Sequence, residues 1–150
     1  MSHHLGCRST TIAFSTQKAA PTHFMHELSI AESILNGVRT ELLRYPGARP
    51  TKVGIRIGEL AAVDVDSLTF CFEAVVHGTE WESLQLDARV CKQVRVCTEC
   101  SETFDVVEYN AECPKCGSNN TTLQSGDELD FDYLEVETDG TPATQVQGVE

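Results

Sequence analysis

Cys97-Thr-Glu-Cys100 and Cys113-Pro-Lys-Cys116-Gly117 form two CxxC pairs with twelve residues between them. A CxxC turn sets both sulfurs on one side of a tight loop, and two such knuckles supply the four thiolates of a tetrahedral ion. Gly117 suits the left-handed backbone conformation that often closes such a turn. A redox CxxC usually stands alone at the start of a helix, whereas both pairs here lie among strand-forming residues. Zinc is the expected ion at Cys97, Cys100, Cys113 and Cys116, with iron in a rubredoxin-like site as the alternative. Four thiolates leave no open position for a reactive water, which argues against a zinc hydrolase.

The elements around the quartet are legible from periodicity. Ala31, Ile34, Leu35, Val38, Leu42 and Tyr45 recur at helical spacing from Leu28 onward, and Tyr45-Pro46-Gly47 ends the run. Val53, Ile55 and Ile57 alternate with Lys52, Gly54 and Arg56 as a half-buried strand. Leu68, Cys71, Phe72, Val75 and Val76 predict a second helix, with Asp66 as its N-cap and His77-Gly78 as its end. Leu84, Leu86, Ala88 and Val90 alternate again and lead into the first knuckle. Phe104–Tyr109 predicts a hairpin arm, and Leu129, Phe131, Tyr133 (or its neighbour Leu134) and Val136 a last strand with a solvated acidic face.

This order predicts a small α+β domain: two helices and a three-stranded sheet, with a zinc-ribbon-like four-cysteine module inserted before the last strand. Residues 25–96 plus 127–137 would form the main domain, and 97–126 the module. Residues 1–24 are expected to be disordered or upstream of the true start, and 138–150 to be a flexible tail. Cys71 and Cys91 are expected as small buried hydrophobes, and Trp81 at a domain seam. A chain of 150 residues has room for one such domain and module. Metal binding would supply folding free energy on the order of 10 kcal/mol to the module.

Charge narrows the function. The chain carries 23 acidic and 11 basic residues, and its first 26 residues contain only Arg8 and Lys18 as charges. Residues 27–150 therefore hold 9 basic against 23 acidic side chains, a net charge of −14. Between Cys97 and Cys116 the single basic residue is Lys115. That balance argues against a zinc ribbon gripping nucleic-acid phosphates and suits cation handling or a basic protein partner. No stretch approaches the ~18 apolar residues of a membrane span. Nothing in the seven cysteines requires disulfides, which fits a reducing, cytoplasmic compartment.

A second constellation sits ahead of the first helix. The run Met25-His-Glu-Leu-Ser-Ile-Ala-Glu-Ser-Ile34, then Gly58-Glu-Leu60, Ala62-Val-Asp64, Asp66-Ser-Leu68 and the quartet follow in one order. The whole closely resembles the HypA/HybF family, the nickel metallochaperones of hydrogenase maturation, over about residues 25–137. The resemblance implies that Met25 supplies an N-terminal amine, His26 a backbone nitrogen and the essential imidazole, and Glu27 a backbone nitrogen or a supporting carboxylate. Four planar nitrogen donors suit Ni(II). Asp64 is a further candidate for supporting or occasional ligation.

The resemblance also implies that the protein is not an enzyme, and that its partners are a HypB-type GTPase and the large subunit of a nickel-iron hydrogenase. In some organisms urease and its accessory proteins join them. This sequence departs from the pattern in that 24 residues precede Met25, which would replace the amine with a peptide nitrogen. Met25 is therefore expected to be the working start. A competing planar chelate would arise at Ser2-His3-His4 if Met1 were removed. The functional alternatives are a rubredoxin-like electron carrier and a zinc-ribbon nucleic-acid binder.

Overall fold

The computed structural model describes residues 8–13 and 27–139. Helix α1 (Glu27–Leu42) places Ile30, Ala31, Ile34, Leu35 and Val38 in the core, the face its spacing predicted. Glu27 in its first turn complements the positive end of the helix dipole. The helix unwinds through Arg44 and Tyr45, whose N–H groups bond back to Glu41 and Leu42, before Gly47 turns the chain at φ +81. Strand β2 (Arg49–Gly58) follows, then a short 3-10 turn (Glu59–Ala61) and α2 (Val65–Val76).

Asp64, not the expected Asp66, caps α2: its side chain accepts the Ser67 N–H at 2.7 Å. Ala62 takes a left-handed conformation (φ 53) just before the cap, so the chain enters helical geometry at Val65 and leaves Asp66 inside the first turn. The far end closes at His77, whose N–H reaches Glu73 O, and Gly78 turns away at φ +72.

Strand β3 (Gln85–Cys91) returns parallel to β2, from Lys52 opposite Gln85 to Gly58 opposite Cys91. The four-cysteine module then forms its own sheet from β4 (Val94–Cys97), β5 (Thr103–Asp105) and β6 (Thr121–Ser125), in the order β5-β4-β6. The expected arm Phe104–Tyr109 is shorter than predicted, because the chain reverses between Val107 and Asn110. The last strand, β7 (Leu129–Thr138), comes back antiparallel to β2.

Among the described residues the main sheet holds four strands, not three. The added strand is β1 (Arg8–Ala13), from the segment expected to be disordered or upstream of the true start, and it pairs antiparallel with β7. Thr10, Thr11 and Ile12 favour extended backbone, and Ile12 opposite Leu134 is only 7% exposed, so an apolar side chain repays the pairing. The order β1-β7-β2-β3 makes β7 an interior strand.

A β-bulge decides which side of β7 faces the helices. Gly54 pairs with Tyr133 but Ile55 pairs with Phe131, leaving Asp132 as the extra residue. Leu134 and Val136 are buried among Val53, Ile55, Ile57, Leu68 and Phe72 in the core. Phe131 reaches α1 at Gly37, where a Cβ would lie 2.3 Å from its ring. Tyr133 lies over Gly54, where a Cβ would come within 2.2 Å of the ring, and its hydroxyl donates to Asp87 on β3. On β7 the acids are partly paired: Asp130 lies 3.8 Å from Arg56, and Asp132 4.0 Å from Arg89.

Cys71 and Cys91 are half-buried, and Cys71 packs on the core edge. Trp81 packs against the same core with the Arg39 guanidinium 5.3 Å from its ring centroid, on the α1 side and not at a seam with the module. Among the described residues, no helix is long and apolar enough to cross a membrane.

Candidate metal centres

Each knuckle is built by the same local bond. Ser101 N–H donates to Cys97 O at 3.0 Å, and Gly117 N–H donates to Cys113 O at 2.9 Å. Both closing residues are left-handed, Ser101 at φ 61 and Gly117 at φ +72. Glycine at 117 was readable from sequence. Ser101 gives no such signal, because its conformation is imposed by the loop it closes. Further bonds lock the two loops to the small sheet: Cys97 N–H to Glu102 O, Thr98 N–H to Asn120 O and Cys113 N–H to Ser118 O, each at 2.8–2.9 Å. Arg95 clamps β4 to β6 by donating to both Oγ1 and O of Thr121 at 2.8 Å.

All four sulfurs lie within 4.8 Å of one another. The distances Cys97 Sγ–Cys116 Sγ and Cys100 Sγ–Cys113 Sγ are both 3.6 Å. Metal–sulfur bonds of about 2.3 Å in a tetrahedron require sulfur–sulfur edges of about 3.8 Å, so the donor set has the dimensions of a four-thiolate site. Cys97 and Cys113 are buried and Cys116 is exposed, which leaves the site at the module's surface on one side.

The metal-free thiols do not titrate alike. Burial raises Cys113, but N–H groups of Cys116 and Lys115 and the neighbouring thiols of Cys100 and Cys116 outweigh it and bring the group down to about 7. The Ser118 N–H favours the Cys116 thiolate, yet the Cys97, Cys100 and Cys113 sulfurs and desolvation push it up to about 12. Like charges sharing one small volume cannot all ionise without a cation between them. Lys115 supplies a nearby positive charge, held 3.2 Å from Glu102.

The module is seated on the main domain through backbone contact. Gly58 and Gly126 approach so closely that a Cβ on Gly58 would lie 2.1 Å from Gly126, and a Cβ on Gly126 would lie 2.7 Å from Gln93 Cα. Leu60 N–H donates to Gly126 O at 2.8 Å, and Glu59 Oε2 accepts the Gln93 N–H at 2.9 Å. Glu59 was not singled out from sequence as a joint. Its partner lies 34 residues away, beyond the reach of any local pattern.

The second constellation is described in part. Met25 and His26 lie outside the described residues. Glu27 and Asp64 are brought together, 37 residues apart in sequence, where Glu27 Oε1 accepts the Asp64 N–H at 3.4 Å. The amino ends of α1 and α2 therefore meet. The Asp64 carboxyl is held below the usual carboxylate range, first by the Ser67 N–H and then by the Ser67 hydroxyl.

Residues 25–136 match the family model described as hydrogenase/urease nickel incorporation, metallochaperone, hypA. A hydrogenase maturation factor HypA from Chlorobaculum parvum is 36% identical over 114 residues, covering 75% of this chain and all of that protein. The corresponding factor from Azotobacter chroococcum is 38% identical over 113 residues, again 75% of this chain and all of the relative. The solution structure of the Ni metallochaperone HypA from Helicobacter pylori superposes with a TM-score of 0.55 at 25% identity, covering 77% of this chain and all of that one. A second HypA solution structure gives 0.56 at 26% identity, over 75% of this chain and 96% of that chain. With the four-cysteine module, the paired helix ends and the mixed sheet all in place, the chain belongs to the HypA family of nickel-incorporation metallochaperones.

Proposed function

We propose that this protein binds Ni(II) at its Met25-His26-Glu27 segment and delivers it for the maturation of nickel-iron hydrogenase, and in some organisms of urease. The observation that carries this reading is the family match, which begins at Met25 itself. A chain starting there has an amine, the His26 backbone nitrogen and the His26 imidazole in one chelating run, and the Glu27 backbone nitrogen can complete a planar set suited to nickel. Glu27 is the first residue of α1, so its carboxylate holds the loop of Asp64 while its backbone stays at the helix mouth.

Cargo must leave, so the nickel donors should be open and exchangeable, whereas the quartet is closed. Cys97, Cys100, Cys113 and Cys116 would hold a resident Zn(II), which cross-links two loops and supplies folding free energy to a module with little core. The protein acts by binding and release and makes no covalent change in a substrate, so it is not an enzyme. A HypB-type GTPase and the hydrogenase large subunit are the expected partners, with urease accessory proteins where urease is the client. A cytoplasmic, reducing setting keeps the quartet as thiolates.

Nickel titration of a chain beginning at Met25, beside its His26→Ala variant, tests the reading. The variant is expected to lose specific nickel binding while keeping its zinc content and its fold. Wild-type nickel affinity in His26→Ala would overturn the site assignment.

A further inference from the structure

Where the module meets the end of β2, a cleft of about 460 Å³ opens between the two sheets. Leu60, Val63, Val90, Val106 and Tyr109 form its apolar wall. These side chains are not sealed as the core is: Leu60 is 44% exposed, Val90 57% and Tyr109 93%, with Val107 beside them at 67%. Single exposed apolar residues are ordinary, but three around one concavity, Leu60, Val90 and Tyr109, contributed by both halves of the molecule, make a patch.

The turn presenting Tyr109 is built against its residues' preferences. Asn110 N–H bonds to Val107 O at 3.0 Å, and the two central residues, Glu108 (φ 51) and Tyr109 (φ 62), are both left-handed. That conformation belongs to Asn-Gly, and a bulky L-residue adopts it at a cost. The fold gains no burial from it, because the tyrosine stands in water. Backbone strain kept to display an exposed aromatic points to recognition, where Tyr serves as an anchor.

Charge indicates what would sit there. The lining includes Glu59 and Glu108 and no lysine or arginine, and Asp105 lies exposed next to Val106. The chain as a whole carries −12. We propose that this cleft docks a segment of a partner protein whose bulky apolar side chains are flanked by Lys or Arg. The apolar side chains would fill the space between Leu60, Val90 and Tyr109, and the basic ones would meet Glu59 and Glu108.

The test uses the full chain and three synthetic peptides of equal length: an amphipathic Leu/Lys peptide, the same pattern in Leu/Glu, and a Gly/Lys peptide of equal charge. The Leu/Lys peptide is expected to bind, with amide shifts centred on Leu60, Val90, Val107 and Tyr109. The paired substitution E108N/Y109G, which suits the turn better, should keep or raise Tm while weakening that binding roughly tenfold or more. Leu60→Ser should weaken it independently.

Equal binding of the Leu/Glu or the Gly/Lys peptide would overturn the proposal. So would affinity within about twofold for E108N/Y109G, or shifts centred elsewhere. Self-association of the free chain that E108N/Y109G abolishes would also overturn it, by showing that a second copy covers the cleft.

Discussion

Glu27 and Asp64 tie the amino ends of the two helices together: Glu27 Oε1 accepts the Asp64 N–H at 3.4 Å, while the Asp64 carboxylate accepts the Ser67 N–H at 2.7 Å. Asp64 thus uses its backbone toward α1 and its side chain toward α2. The segment from Glu59 to Asp64 is held at both ends, since Glu59 accepts the N–H of Gln93, in the link between β3 and the four-cysteine module.

Asp64 is therefore expected to act by positioning. Asp64→Asn keeps an oxygen for the Ser67 N–H and should bind nickel nearly as the parent does, whereas Asp64→Ala should lower Tm by roughly 3 °C. The folded carboxyl titrates below its ordinary value. Its contribution is thus fully present above the unfolded carboxyl pKa of about 3.9 and is lost as pH falls through the lower folded value. Acid melts of the parent should show that loss and those of Asp64→Asn should not. Equal nickel loss in both variants at unchanged Tm would instead make Asp64 a ligand.

The residues ahead of Met25 bear on the proposed nickel donors and on the sheet. A chain from Met25 is expected to bind nickel more tightly than the chain from Met1, because its amine replaces a peptide nitrogen. It also lacks β1, so β7 becomes an edge strand and its amides that face β1 should exchange faster with solvent. Calorimetric titration and hydrogen exchange on the two chains check this, and equal nickel affinity would remove the amine from the site. Intact mass of protein made from the native gene decides which chain is the working one.

Removal of metal from the quartet should act locally. Cys113→Ser, or exhaustive chelation, is expected to release one zinc per chain and to broaden amide signals over 94–125. The signals of β2, β3 and the core side of β7 should remain, since that sheet and its helices share a core of their own. Loss of α1 and α2 signals at the same chelator concentration would show that the module is needed for the main fold.

On the open face of the sheet, Tyr133 crosses Gly54 to reach Asp87. The hydrogen bond to Asp87, with burial behind it, pushes the phenol up to about 12. The neutral tyrosine is the favoured partner, so its contribution is present below the unfolded pKa of about 10 and lost as pH rises toward the folded value. Tyr133→Phe should delete a late tyrosinate step from an alkaline absorbance titration. Gly54→Ala forces the ring aside and should cost about 1–3 kcal/mol, moving that step to lower pH. An unmoved step would show that the ring does not lie over Gly54.

Local spacing was enough to give the quartet, the core stripe of α1, the alternation of β2 and the order of elements. Each is read from short-range spacing, the CxxC pairs and the apolar periods of helix and strand, where chain geometry leaves few choices. Tertiary structure decided the rest. Which of Asp64 and Asp66 caps α2 followed from the left-handed turn at Ala62. Which of Tyr133 and Leu134 enters the core followed from the bulge at Asp132, because one extra residue exchanges the faces of a strand. The four-strand width of the sheet followed from Ile12 meeting Leu134. The seat of the module followed from Gly58 and Gly126, 68 residues apart in the chain and touching by backbone. Pairings at such separations are set by the shape of the closed core, which no short stretch of sequence carries.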